Sequence, residues 1–434
     1  MNQKMINRGL SALALGMGLM ASQQAFSANW LMLQGTEEPG TAKPVNVWGF
    51  VQAQFQKDYS DPFVNPAGAE LYVPPKLIGP NLDDQQQFNI NRARIGVRGG
   101  NFPLDSQINY FLLVEFGNNG MTNTTSGYTP RLTDASVTFN HIKPARFRVG
   151  LFKYPGSEEG LQAIHVFDYV NFTTVTNQLL LERFPTADDT NITPQPTPDA
   201  NVGRFSQPVG AFRDTGVQMF STFKVNKWEH SYALMVGNGN GVNIGDNDSN
   251  MNGYAYYSAE RVYSGGKKGR REGLKFFIWG QDGKRTNAYD KTEEQDRSRN
   301  GLGVKYLKKP FRVSAEYMAG KGMIFQGQHR PQHMFNDLEA AGGYIEAGFY
   351  IPKSKWEIDL RADTYTRDEN HPTSVDGDQT KYDTFTIGTQ YHFNKKTRLN
   401  LDYAVRRAES DTTAVNNQVE GIGNRLAIQI TAIY

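Results

Sequence analysis

The chain closes on NRLAIQITAIY, Asn424 to Tyr434, in which apolar residues recur at every second position. Leu426, Ile428, Ile430, Ala432 and Tyr434 share one parity; Arg425, Gln429 and Thr431 share the other. Successive strand residues point to opposite faces of a sheet, so such a segment has one apolar wall and one wet wall. The same period begins at VNVWGFVQAQFQ (Val45 to Gln56) and returns in FNINRARIGVRG, SQINYFLLVEFG, LTDASVTFNH and ARFRVGLFK. After a long gap come DTGVQMFSTFKV, WEHSYALMVG, GYAYYSAERVY and EGLKFFIWGQ. NGLGVKYLK, FRVSAEYMAG, GYIEAGFYI, KWEIDLRADTYT, YDTFTIGTQYHF, TRLNLDYAVRR and the terminal segment bring the count to about sixteen. Each has roughly the 9–11 residues that a tilted membrane strand requires.

The links alternate as regularly as the strands. HIKP, VNK, LKKP, IPKS and FNKK are tight turns, whereas Lys57 to Gln87, Asn118 to Pro130, Tyr154 to Phe212, Asp282 to Arg299 and Gly320 to Ala341 are long. Short and long connections on opposite rims are the signature of an outer-membrane barrel. A propeller would repeat a motif near every 40 residues, and a sandwich does not alternate its loops this way. The expected fold is all-β: a transmembrane antiparallel β-barrel of about sixteen strands over residues 45–434, with short periplasmic turns and long external loops. The terminal strand then pairs with the first and turns its apolar face to lipid. Trp48, Tyr110, Phe139, Trp228, Tyr306, Phe311, Tyr350, Trp356, Phe393 and Tyr434 are expected in the aromatic girdles at the two membrane surfaces.

Composition agrees with a wall wet on one side. The 434 residues are 38% hydrophobic, mean hydropathy is −0.57, and no segment past the first thirty residues is apolar for long enough to form a spanning helix. Only a closed barrel satisfies every backbone amide in lipid with strands. A net charge of +2 gives no reason to expect nucleic acid, and the absence of cysteine excludes a disulfide scaffold or a lipid-modified cysteine. The start supplies a compartment. Lys4 and Arg8 precede an apolar run from Leu10 to Ala21, and Ala25 and Ser27 suit cleavage before Ala28. Residues 1–27 therefore read as a secretory signal peptide, residues 28–44 as a short periplasmic segment, and the destination as the outer membrane of a Gram-negative cell.

With the apolar parity facing lipid, the other parity lines the lumen. Arg92, Arg94 and Arg98 on the second strand, and Arg146 and Arg148 on the fifth, point inward, with Lys153 near the strand end. Lys275, Lys305, Arg312, Arg361, Arg406 and Arg425 share that parity, as do Glu115, Asp134, Glu316, Glu346, Asp359, Asp363 and Asp402. About sixteen strands enclose an aqueous channel, and an arginine ladder in it favours anions, phosphate above all through bidentate bonds. The competing reading has the same side chains paired across neighbouring strands to stiffen the wall. The arginines of strands two and five are the better case for an anion path, since few acids are expected near them. The third loop, Tyr154 to Phe212, carries GLQAIHVFDYVNFTTVTNQLLLERF, too apolar for a freely solvated loop. It is expected to fold into the barrel mouth, a subunit interface being the alternative; the later QPTPDANVGRFSQPVG reads as exposed turns.

At RARIGVRG, LTDASVTFNHIKPARFRVGLFKYPGSEEGL, RDTGVQMF and YALMVGNGNG the chain resembles the phosphate-selective porins O and P, in matching order from Val45 to Tyr434. The resemblance implies a sixteen-stranded homotrimeric porin with an inward third loop and an arginine-lined anion path, with Arg92, Arg94, Arg146, Arg148 and Lys153 on matching segments. A departure from the family is the pair Glu158 and Glu159, where it often has one acid; separately, the terminal segment resembles the C-terminal assembly signal of bacterial outer-membrane proteins, with Tyr434 where Phe is usual.

Other signals are weaker. GNGNG (Gly237 to Gly241) lacks the helix of a dinucleotide loop, and GDNDSN (Gly245 to Asn250) lacks the closing acid of a calcium loop. His329 and His333 of HRPQH read as surface histidines rather than a metal site. No GxSxG occurs and the seven histidines are dispersed, so an enzyme is not expected, and neither is a cofactor. The short segment before the first strand is too small for a transporter plug. The expected function is passive diffusion of small hydrophilic solutes, anions such as phosphate foremost, through a lipid-embedded pore. A general unselective porin, or a barrel scaffold or receptor for a partner protein, is the alternative.

Overall fold

The computed structural model describes residues 29–32, 37, 43–61, 63–64, 70–71, 85–102, 104–122, 128–181, 210–242, 246, 248–264, 271–286, 294–324, 338–369 and 374–434. The signal-type residues 1–27, the stretch 182–209 of the third loop, and His329 and His333 lie outside them.

Sixteen strands follow one another around a closed antiparallel barrel. The first half comprises β1 Asn46–Asp58, β2 Gln86–Gly99, β3 Ile108–Glu115, β4 Arg131–Phe139, β5 Arg146–Lys153, β6 Arg213–Val225, β7 Trp228–Gly237 and β8 Asn252–Ser264. The second comprises β9 Glu272–Thr286, β10 Glu294–Lys308, β11 Phe311–Lys321, β12 Glu339–Tyr350, β13 Trp356–Asp368, β14 Gln379–His392, β15 Thr397–Ser410 and β16 Arg425–Ile433. The alternation is inside out relative to a water-soluble protein. Along β13, Glu357, Asp359, Arg361, Asp363, Tyr365 and Arg367 are buried inside, while Trp356, Ile358 and Leu360 are exposed outside. Charges of that density at buried positions need water or partners, and an apolar outer face needs lipid.

The end of the chain is held as its alternation requires. β16 pairs with β1 in the register Phe50↔Ile433 to Asp58↔Arg425, and Tyr434 donates its backbone N–H to the Gly49 carbonyl at 3.0 Å. The Tyr434 ring lies over Gly49 and its hydroxyl donates to the Arg94 carbonyl on β2 at 3.0 Å. A Cβ on Gly49 would stand 2.3 Å from both that carbonyl oxygen and the ring, so glycine is what lets the last residue cross the closing seam. Tyrosine in place of phenylalanine adds this hydrogen bond.

Two expectations change. Trp48 lies on the inward parity of β1, its ring 5.9 Å from Phe111 and 5.9 Å from His165, so it belongs to the lumen and not to a girdle. The β9–β10 ladder continues to Thr286↔Glu294, beyond the expected Asp282–Arg299 link. Lys284 sits 3.4 Å from Glu294 there, and cross-strand charge pairs sustain pairing where apolar alternation has ended.

The packed apolar core is inside the barrel. Between β5 and β6 the chain forms helix α1 (Glu158–Leu161), a 3₁₀ turn (Ile164–Val166) and a π turn (Thr176–Leu180). From this segment Phe167, Tyr169, Phe172, Val175, Leu179 and Leu180 join inward-facing Phe50, Phe220, Trp279, Tyr344 and Tyr365 in one cluster. A second short helix, α2 (Thr413–Val419), lies between β15 and β16.

Candidate pore lining

The third-loop segment Tyr154–Leu181 is tied to the inner wall along its length. At its start Glu316 accepts from Ser157 Oγ (3.0 Å), the Glu158 N–H (3.3 Å), Trp279 Nε1 (2.8 Å) and Tyr344 Oη (2.9 Å). Glu158 itself reaches Lys275 Nζ at 2.7 Å and Lys305 Nζ at 3.3 Å. Burial works against its charge, yet the two ammonium groups hold its carboxyl below the ordinary value. Further along, Gln52 and Arg398 donate to the Ile164 and His165 carbonyls, Asn400 to that of Asp168, and Arg361 to that of Asn171. Asp402 and Asp363 accept the N–H groups of Val170 (2.6 Å) and Thr174 (2.7 Å). Burial, with Arg398 nearby, pulls the His165 imidazole down to about 3, so it stays neutral against Trp48 and Phe50.

The two sides of the lumen differ in charge balance. On β9–β16 cations and carboxylates interlock. Arg312 contacts Glu357 (3.2 Å) and Asp359 on β13, Glu346 (3.6 Å) on β12 and Asp168 (3.1 Å) of the third loop. On β2–β6 the charged side chains that are not exposed are seven cations, Arg92, Arg94, Arg98, Arg146, Arg148, Lys153 and Arg213, against the carboxylates Glu115, Asp134 and Asp214.

The six basic residues singled out from sequence are used unequally. Arg94 departs from the expectation of few nearby acids: Glu115, directly across on β3, takes its Nε at 2.6 Å. Lys153 donates to the Gly160 (2.7 Å), Leu161 (3.5 Å) and Gln162 (2.8 Å) carbonyls, which caps the end of α1. Arg98 stands 3.7 Å from Glu37 near the periplasmic rim. Arg148 bonds Thr138 (3.3 Å) and lies 4.5 Å from the centre of the Phe220 ring. Arg92 donates to Gln52 (3.1 Å) and Arg146 to Ser221 (3.4 Å). Among the described residues no carboxylate lies within ion-pair distance of either. Arg213, paired with Asp134 at 3.0 Å, and Arg398 were not singled out. The RDTGV start carried the signal for Arg213, and the inward parity of TRLNLDY the one for Arg398.

These features describe a barrel whose lumen is narrowed by an internal loop, with one wall basic and the other charge-balanced. No curated protein sequence matches the chain. Its fold matches solved outer-membrane channels at low identity. One is an anion-selective porin from Comamonas acidovorans (13% identity, TM-score 0.53), aligned over 91% of this chain and 100% of that one. Another is the channel DcaP of Acinetobacter baumannii (13%, 0.52), over 93% and 100%. A third is a loop-L8 deletion mutant of OmpT from Vibrio cholerae (10%, 0.52), over 91% and 99%. The family model for phosphate-selective porin O and P matches residues 79–180 and 280–434, more than half of the chain. That match takes in the β2 arginines, the narrowing loop, the balanced wall and the closing strand, and by it the chain belongs to the phosphate-selective porin O and P family of outer-membrane porins.

Proposed function

We propose that this porin passes small hydrophilic solutes by diffusion and favours anions, phosphate-like oxyanions among them. The observation that carries this is the excess of cations on the β2–β6 wall, above all Arg92 and Arg146, whose hydrogen bonds go to Gln52 and Ser221 and not to carboxylates, with Arg148 beside them on the same wall. Guanidinium groups bind oxyanions through parallel N–H donors, and fixed charge in a narrow aqueous path sets which ion enters. Arg94 and Lys153 then act chiefly on the wall and the loop, and Arg98 at the rim. The third loop supplies the width filter. Residues 1–27 serve as the signal peptide, and the family suggests a homotrimer seated in outer-membrane lipid. A weakly selective general porin is the second reading, favoured by the neutralisation of Arg94 by Glu115 and by the acids Glu158 and Glu159 beside the path.

Phosphate titrated into a chloride solution during single-channel recording tests the reading. The chloride current is expected to fall with phosphate at low concentration in the wild type, and to fall only weakly in R92Q/R146Q/R148Q. Equal sensitivity of the two proteins would remove the arginines from the path.

A further inference from the structure

The residues that lead into β1 do more than start the barrel. Asn29 donates through Nδ2 to Ser231 Oγ (2.5 Å) and reaches Glu229 Oε1 (3.4 Å), both near the start of β7. Trp30 and Leu31 follow in a 3₁₀ turn, 6% and 3% exposed, in the same apolar cluster as the third loop. Trp30 lines a cavity with Glu158, Gln162 and Val166 of that loop and with Lys275 and Lys305 of the wall. Glu229, Lys275 and Lys305 all lie at strand ends joined by short turns, so this cluster occupies the periplasmic half of the lumen. Glu37 then appears on the other side of the mouth, where it accepts from Asn109 Nδ2 at 3.0 Å and stands 3.7 Å from Arg98. Lys43 and Pro44 accept from Gly100 and Tyr110 at the β2–β3 turn just before β1 begins.

We propose that Asn29–Met32 is an internal stopper that closes the periplasmic half of the pore beneath the third loop, and that full conduction requires its withdrawal. Two features fit an element that leaves and returns. Its described hold on the wall lies within four residues, the packing of Trp30, Leu31 and Met32 and the Asn29 hydrogen bonds, whereas the third loop is bonded to the wall at points from Ser157 to Thr174. Its seat is also lined by charged groups that pair without it, Glu158 with Lys275 and Lys305 among them, so departure leaves no buried charge unpaired there. Water replaces the Trp30 ring, and the continuous lumen is restored. The stopper rests on the pore reading, so its test carries a readout independent of current.

The chain has no cysteine, which makes the double variant N29C/S231C a clean reporter. In the full-length protein, folding of each variant is checked by heat-modifiable gel mobility. Oxidation, or a short bifunctional thiol reagent, is expected to join the two positions, seen as a mobility shift reversed by reductant. The joined barrel should conduct at a low level that rises on reduction. In the second variant, W30S/L31S, single-channel conductance should exceed wild type by roughly twofold or more, since the apolar obstruction is gone. Failure to cross-link in folded barrels would place the segment elsewhere and overturn the proposal. Cross-linking with the same conductance in joined, reduced and W30S/L31S proteins would overturn its control of the pore. A joined barrel in which no variant conducts would sink the pore reading, and the stopper with it.

Discussion

Arg312→Ala is expected to destabilise the barrel more than any other single lumen substitution, by about 3–5 kcal/mol, the range seen when one partner of a buried ion pair is removed. Arg312 is the shared counter-ion of Glu357, Asp359, Glu346 and Asp168. Without it, carboxylates from two strands and the third loop face one another in a space with little water, where like charges repel strongly. The local response is protonation or separation, and either one costs the Asp168 link that ties the loop to the wall. The midpoint of heat-modifiable gel mobility, or of urea unfolding in lipid, measures the effect. Arg146→Ala is the internal control. Its recorded partner is the Ser221 hydroxyl at 3.4 Å, so it should move the midpoint little. A comparable shift in both would mean that the charge cluster does not hold the wall.

Glu316→Ala is expected to release the start of the third loop and widen the pore. Four donors converge on this carboxylate: Ser157 Oγ, the Glu158 N–H, Trp279 Nε1 and Tyr344 Oη. Each buried donor left unsatisfied costs about 1–3 kcal/mol, and two of them belong to the loop itself. Those two find water only if α1 moves off the wall into the lumen or out toward the mouth. Single-channel recordings should then show larger and noisier conductance, with the barrel still folded. Glu316→Gln keeps an acceptor but introduces an amide that faces the same donors, so an intermediate result is expected. Unchanged conductance in Glu316→Ala would mean that the remaining wall contacts hold the loop without this latch.

How much of this was legible in the chain follows from the range of each interaction. A period of two reports which face a residue takes, and needs no knowledge of neighbours. Hence β13, with Glu357, Asp359 and Arg361 alternating with Ile358 and Leu360, could be read as a lipid-facing strand with a wet inner side. Loop lengths gave the up-and-down order for the same reason. Trp48 was legible by parity, since Val47 and Val51 flank it on the outer face, but its place near a strand end suggested a girdle instead. Partnerships were not legible. Arg94 meets Glu115 only because the β2–β3 turn sets that register. Ser157 meets Glu316, and Asp168 meets Arg312, only because the third loop turns inward across the barrel. No local pattern encodes contacts over more than a hundred residues. The position of Asn29–Met32 was hidden for another reason: four residues are too few to show a period.

The most direct test of the central claim, that the excess of positive charge on the β2–β6 wall selects the permeating ion, is the zero-current potential across a planar bilayer under a salt gradient. It is measured for the wild type and for R92Q/R146Q/R148Q. The account predicts a wild-type potential of the sign set by anion permeation, collapsing toward zero in the triple variant while conductance persists. A wild-type potential already near zero, or one that the three substitutions leave unchanged, would contradict it and leave those arginines as parts of the wall.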